Sequence, residues 1–281
     1  MTSLYHRMQT RLVLLPPARL DTRDVFRKVE TDSLRHDQLI AEMQRLRGSV
    51  YVADGAIPKS ALTADGRHRM PIDERSWHIL SLDREDRVCA CLRYLDESTA
   101  AGFDHLWVRH ASLADTPVLG KQFRKAVEGD MRLARRLHMG FGEVGGWAVA
   151  ETHRRTFEPL RIILATYGLL RLLGGVIGVA TATLRHDSAT ILRRIGLTSL
   201  VQDGGELPPY FDPHYGCPME VLQFDSRHPA SKYEDWVGEL ADALRRAPVI
   251  CRERPRTALK GVLAALELAP QALPALSWQV G

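Results

Sequence analysis

The segment Gly140-Phe-Gly-Glu143-Val-Gly145-Gly146-Trp147-Ala-Val149-Ala-Glu-Thr-His-Arg154-Arg155-Thr156 concentrates residue types able to do chemistry. A strand with two adjacent glycines lets a ligand come close to bare backbone. It runs into an arginine-bearing turn that opens a helix. Free N–H groups and positive charge there suit an anion, typically a phosphate or pyrophosphate. A solvated arginine pair, mildly disfavoured by the helix dipole, is the other reading of Arg154 and Arg155. His78, in an apolar run, is either a structural histidine or a base. Lys121, Arg124, Lys125, Arg132, Arg135 and Arg136 make a basic helix face, either simply solvated or matched to an acidic partner. Aromatic residues do not alternate with these cations, which argues against nucleic acid. Cys89, Cys91, Cys217 and Cys251 form no Cys-x-x-Cys pair and have no histidine at zinc-finger spacing, so they read as reduced thiols and no metal is expected.

These groups need a scaffold, and 281 residues suffice for a sizeable core. Apolar residues make up 45% and charged residues 26%, ordinary for a globular chain, and the net charge of +4 is only mildly basic. The longest uncharged apolar run, Leu172–Leu184, falls short of the ~18 residues that would span a bilayer. The N-terminus lacks a basic-then-apolar signal pattern, so a cytoplasmic protein without a transmembrane segment is expected.

Periodicity supplies the elements. Arg11–Leu15 reads as a strand and Ser33–Gly48 as a helix. Gly55–Arg69 is a loop, and Trp77–Leu82 and Val88–Leu95 form an antiparallel hairpin. Gln122–Leu137 is a helix and Phe141–Ala150 a strand. Thr156 is a candidate N-cap for a helix with Pro159 in its first turn. Val176–Thr183 is a buried strand, followed by a short helix capped by Asp187 or Ser188 and ending at Gly196. Ser199–Gln202 and Met219–Phe224 are strands joined by the loop Asp203–Pro218. Two helices, near Tyr233–Arg246 and Thr257–Leu268, form a C-terminal appendage. The expectation is an α/β (α+β) fold with a mixed central sheet and helices on both faces. Residues 1–225 would form the main domain and 226–281 a helical extension packed on it.

This order and four motifs resemble the GNAT superfamily of N-acyltransferases, and within it the acyl-homoserine-lactone synthases and long-chain N-acyl amino acid synthases. Arg47-Gly-Ser-Val-Tyr51 is similar to their Arg-x-x-x-aromatic motif. Ile72-Asp73-Glu74-Arg75-Ser76-Trp77-His78 resembles their acidic motif leading into a strand. Arg87 to Leu95 resembles the next strand, with Arg93 at the family's arginine. Glu143-Val-Gly-Gly-Trp147-Ala-Val149 resembles the Glu-x-Ser-Arg-Phe-x-Val strand. The resemblance covers roughly residues 35–225. The chain departs from the pattern at Ile57 (an aromatic residue there), at Ser76 (the second aspartate) and at Gly145-Gly146 (Ser-Arg). These departures argue against S-adenosylmethionine use. The tyrosine that many GNAT enzymes place before their last core helix glycine is Leu192.

The resemblance implies that the acyl-pantetheine arm of acyl carrier protein or acyl-CoA inserts as a pseudo-strand where the central strand splays at a bulge, against Gly145, Gly146, Trp147 and Val149. A bulge without a ligand is the alternative for the diglycine. Arg154, Arg155 and the amides near Thr156 would hold the donor's phosphate. The missing glycine-rich loop leans towards carrier protein. Glu143 would be the general base, or a structural carboxylate paired with Arg93; His78 is a second possible base. Arg47 and Arg93 are candidate carboxylate anchors, although a salt bridge to Asp73 would account for either. Tyr51 and Tyr215, the latter in an aromatic loop, would border the substrate pocket. The implied function is an N-acyltransferase moving a long acyl group to a small amine, an amino acid, by direct aminolysis. The alternatives are a homoserine-lactone synthase and a non-catalytic acyl-thioester or carrier-protein binding module.

Overall fold

The computed structural model describes residues 10–17, 25–97, 99 and 102–254. The expected helix at 257–268 lies outside them.

The chain order is β1 (Arg11–Leu15), β2 (Lys28–Thr31), α1 (Ser33–Ala53), β3 (Ser76–Leu82), β4 (Val88–Glu97), α2 (Leu119–Arg136), β5 (Gly140–Val149), α3 (Glu151–Arg154) and α4 (Glu158–Leu172). It continues with β6 (Val176–Thr183), α5 (Ser188–Arg194), β7 (Thr198–Ser199), β8 (Val201–Gln202), β9 (Gly205–Glu206), β10 (Tyr210–Asp212), β11 (Cys217–Asp225), α6 (Glu234–Arg246) and β12 (Pro248–Cys251). One mixed sheet runs β10-β11-β6-β5-β4-β3-β1-β12-β2, with β7 paired to β11 and β8-β9 a separate ribbon.

Alternation along the strands divides the apolar side chains between two faces. Leu14, Ile79, Leu92, Tyr94 and Phe224 meet α4 and α6 on one face. Helix α4 is buried almost all round because α6 covers the side turned from the sheet. On the other face, Leu39 and Met43 of α1 pack on Val13, Leu15, Leu80 and Leu82. Beside them, Phe123, Val127 and Met131 of α2 pack on Phe141, Ile177 and Val179. Helices on both faces of a mixed sheet are what the element order predicts.

The differences are local. Helix α1 continues through Gly48 to Ala53, and the following loop closes over Gly48 so tightly that a Cβ there would lie 2.9 Å from Leu62. A glycine that reads as a stop is instead a site of close packing. Thr156 does not cap α4 from the N-cap position; its Oγ accepts the Glu158 N–H from one residue further out. The segment after residue 225 is not wholly helical. After α6, the apolar run Pro248–Cys251 enters the sheet between β1 and β2, parallel to both. Four residues following a helix carry too little periodicity to read as a strand. No helix among the described residues is long and apolar enough to cross a membrane.

Candidate active site

Strand β5 separates from its neighbours at the diglycine. Its antiparallel register with β4 pairs Cys91 with Ala148 and Arg93 with Gly145, so Gly146 and Trp147 together oppose Leu92. That is a one-residue β-bulge. Gly146 occupies it at φ +65°, a left-handed conformation that costs a glycine little and other residues more. On its other edge β5 runs parallel to β6 from Gly140–Val176 to Val144–Ala180, and there the pairing stops. Both strands continue, β5 to Val149 and β6 to Thr183, with β6 held by β11 instead. The strands therefore part just beyond Val144.

A cleft of about 510 Å³ opens at this parting. Its walls are Val144 to Trp147 of β5, Val179 to Thr183 of β6, Tyr51 and Asp54 from the end of α1, and His68 and Met70 from the following loop. Trp107 and Val108 close it from a 3₁₀ turn, and Tyr210, Tyr215, Cys217 and Met219 from β10, β11 and the turn joining them. Glu143 and Arg93 both reach it.

Glu143 is 5% exposed, and its Oε1 accepts the Val108 N–H at 2.7 Å. Burial, with the nearby Glu97 charge, pushes its pKa up to about 7, against the opposing pull of that N–H and of Arg93. A carboxyl poised there exchanges a proton near neutrality. No direct ion pair joins it to Arg93, and the two charges act on each other only from further away.

The arginines divide. Arg47 is fully buried and gives a two-pronged bond to Asp73, Nη1–Oδ1 at 2.9 Å and Nη2–Oδ2 at 2.7 Å, and a further one to the His68 carbonyl. It does not line the cleft, so its expected substrate role is corrected: Asp73 already fills the anchor. Burial alone would raise the Asp73 pKa, but Arg47 holds it down to about 2. Arg93 is 5% exposed and has one hydrogen-bond partner among the described residues, Met70 Sδ at 3.4 Å, while its Nε has none.

His78 is also corrected. It is 1% exposed, off the cleft, and its Nε2 is bonded to the Asp73 carbonyl at 2.8 Å; burial pulls its pKa down to about 4. The histidines that line the cleft are instead His68, His110 and His214; His68 lies near the Tyr51 ring with 5.6 Å between centroids, its pKa also lowered to about 4 by burial and the Arg47 charge. Only its loop setting, opposite Arg47, could have marked it in the sequence.

Gly145, Gly146, Trp147, Tyr51 and Tyr215 line the cleft as expected, whereas Val149 lies beyond it, paired with Ala90. The phosphate-site residues are only partly brought together. Arg154 stands behind the mouth with its guanidinium forked onto the Asp54 carboxylate at 3.0 and 3.1 Å. Arg155 and Thr156 are not in the wall, and the Thr156 amide and hydroxyl both bond the His153 carbonyl. The cation at the mouth is Arg185, which follows β6. It bonds the carbonyls of Asp54, Gly55 and Gly216 and has no carboxylate partner among the described residues.

No protein-family profile matches this sequence. No curated protein matches it either. The fold does match solved structures. A CoA-dependent acyl-homoserine lactone synthase, BjaI, solved with SAM and isopentyl-CoA, superposes with a TM-score of 0.51 at 14% identity, covering 92% of this chain and 100% of that one. The same protein solved with MTA gives the same values. The N-acyl amino acid synthase FeeM from uncultured soil microbes gives 0.43 at 13% identity, over 70% of this chain and 88% of that one. The resemblance read from the motifs is thus present in three dimensions: the chain has the fold of the acyl-homoserine lactone synthases.

Proposed function

We propose that this protein is an acyltransferase that carries a long acyl group from a pantetheine thioester to the amine of a small acceptor, an amino acid. The observation that carries this reading is the parting of β5 from β6 beyond Val144–Ala180, at the diglycine and beside a buried carboxyl. A strand with one unpaired edge offers N–H and C=O groups to an extended amide chain, as an added strand would. Pantetheine is such a chain.

Glu143 removes a proton from the acceptor's ammonium group. The free amine attacks the thioester carbonyl, the C–N bond forms, and the C–S bond breaks. The thiolate leaves and is protonated by the proton that the nitrogen loses, and Glu143 releases the first proton to solvent before the next turnover. The oxyanion that develops meanwhile needs donors held in place, and the backbone of the Gly146 bulge is suited to supply them. Arg185, which lines the cleft, is the cation we assign to the donor's phosphate, with the Arg154–Asp54 pair behind it. Carrier protein is the preferred donor, since Lys121, Lys125, Arg132, Arg135 and Arg136 are exposed along α2. Arg124 is excluded from that face, being paired with Asp104.

Homoserine-lactone synthesis requires a sulfonium substrate, and the carboxylates nearest the mouth are already committed. Asp54 pairs with Arg154, and Asp212 accepts backbone N–H bonds from His214 and Tyr215. With Glu143 assigned to proton transfer, that arrangement leaves no further carboxylate of the cleft lining for a sulfonium and favours an acceptor without one.

The test is thiol release from acyl-carrier protein and acyl-CoA across a panel of amines, with product mass measured. Amine-dependent release with an N-acyl product supports the reading. Tight thioester binding without release by any amine would replace it with a binding module, and a lactone formed from S-adenosylmethionine would replace the acceptor.

A further inference from the structure

Arg93 is a buried guanidinium with no carboxylate at ion-pair distance among the described residues; Asp73 and Glu143 act on it only from further away. It projects from β4 on the face that carries α1, opposite Gly145, with its Nη2 at 3.1 Å from where a Cβ on Gly145 would lie. The missing side chain at residue 145 is what gives the guanidinium room beside the cleft. Its neighbours leave it unsatisfied. Arg47 and Asp73 are locked to each other, His68 is uncharged at neutral pH, and Glu143 forms no ion pair with it. A cation removed from water without a partner is costly, and proteins retain one where a ligand completes it.

The position of Arg93 relative to Glu143 specifies the ligand. Glu143 is opposite Leu95 and Gly145 is opposite Arg93, so the two side chains are diagonal neighbours on one face of adjacent strands. Between them runs the wall along which the thioester would lie. We infer that Arg93 is the carboxylate-binding residue of the acceptor site, and that the acceptor is an α-amino acid bridging this diagonal, its carboxylate forked onto Arg93 and its ammonium group turned to Glu143. The inference rests on the acyl-transfer reading and narrows it, because amines lacking a neighbouring carboxylate would leave the guanidinium uncompensated. Tyr51, His68 and Tyr215 form the wall left for the acceptor's side chain.

The experiment compares each common amino acid with its own α-amide as acceptor, using acyl-CoA as donor, in the wild-type protein and in Arg93→Met and Arg93→Lys. The wild type is expected to prefer the acid over the amide by roughly 100-fold or more in kcat/KM, the scale of losing one partner from a buried charged pair. Arg93→Met should bring that ratio to within about threefold, and Arg93→Lys should leave it intermediate, since a point charge keeps attraction but loses the fork. A wild type indifferent to the carboxylate, or a variant that loses acid and amide in equal proportion, would overturn the assignment. Binding of the same amino acids to the protein without donor, by titration calorimetry, separates the two claims. Carboxylate-dependent binding lost in Arg93→Met supports the site even if no acyl transfer is found, and absence of such binding in the wild type refutes it. Thermal unfolding supplies a further control. If the guanidinium exists for a ligand, the free Arg93→Met protein melts no lower than the wild type, whereas a structural arginine would lower the melting temperature.

Discussion

Glu143 and Asp73 are both buried carboxylates, and their partners send them in opposite directions. Asp73 meets a complete guanidinium fork and stays ionised. Glu143 is buried with backbone N–H groups, a more distant Arg93 and the like charge of Glu97 but no guanidinium fork, and takes up a proton near neutrality. If Glu143 is the base, kcat/KM should rise with pH through about 7, because only the carboxylate accepts a proton. Glu143→Gln should lower kcat by roughly 100-fold or more and remove that limb of the profile. Stability has the reverse sign. The folded protein keeps a proton that an unfolded glutamate releases near 4.5, so Glu143 costs stability as pH rises from there to about 7. Asp73 behaves in the opposite way, contributing stability above 3.8 that is lost as pH falls towards 2. Asp73→Asn leaves Arg47 buried and unpaired, and should cost about 3–5 kcal/mol in urea unfolding at neutral pH. Adding Arg47→Met to it should recover part of the loss.

At the scale of elements, one extra residue in β5 does two things: it turns the strand at Gly146, and it coincides with the end of pairing to β6. Gly146→Ala would force a Cβ onto a left-handed backbone, with Arg93 and Arg47 at 3.4 and 3.5 Å. A loss of about 1–2 kcal/mol is expected in denaturant unfolding, together with weaker thioester binding. Much of this was legible in the sequence. The strand at Phe141–Ala150, the buried run Val176–Thr183 and the hairpin of Trp77–Leu82 and Val88–Leu95 pointed to a mixed sheet, and the adjacent glycines marked the bulge. What was not legible is which polar groups pair across the fold. Arg47 and Arg93 have the same residue type and similar motif context, and only the loop that brings Asp73 against one of them separates the two. Arg154 likewise reads as a free cation until Asp54, 100 residues earlier, is found opposite it. The strand Pro248–Cys251 escaped because its partners, β1 and β2, lie at the other end of the chain.

For the whole molecule, the +4 charge is less informative than its distribution. The exposed cations of α2 sit on the sheet face opposite α4 and α6, whereas the cleft passes between β5 and β6 and is lined from both faces. Reversing Lys121, Lys125 and Arg132 to glutamate should raise KM for a carrier-protein donor roughly tenfold and more steeply at low salt, with KM for acyl-CoA little changed. Equal effects on both donors would place carrier-protein docking elsewhere. Acyl transfer at this cleft depends on where the donor lies. Amide hydrogen exchange, measured with and without a non-hydrolysable acyl-pantetheine thioether, tests this most directly. Slower exchange in 145–149 of β5 and 181–183 of β6 is the predicted result; a thioether that binds while both segments exchange unchanged would contradict it.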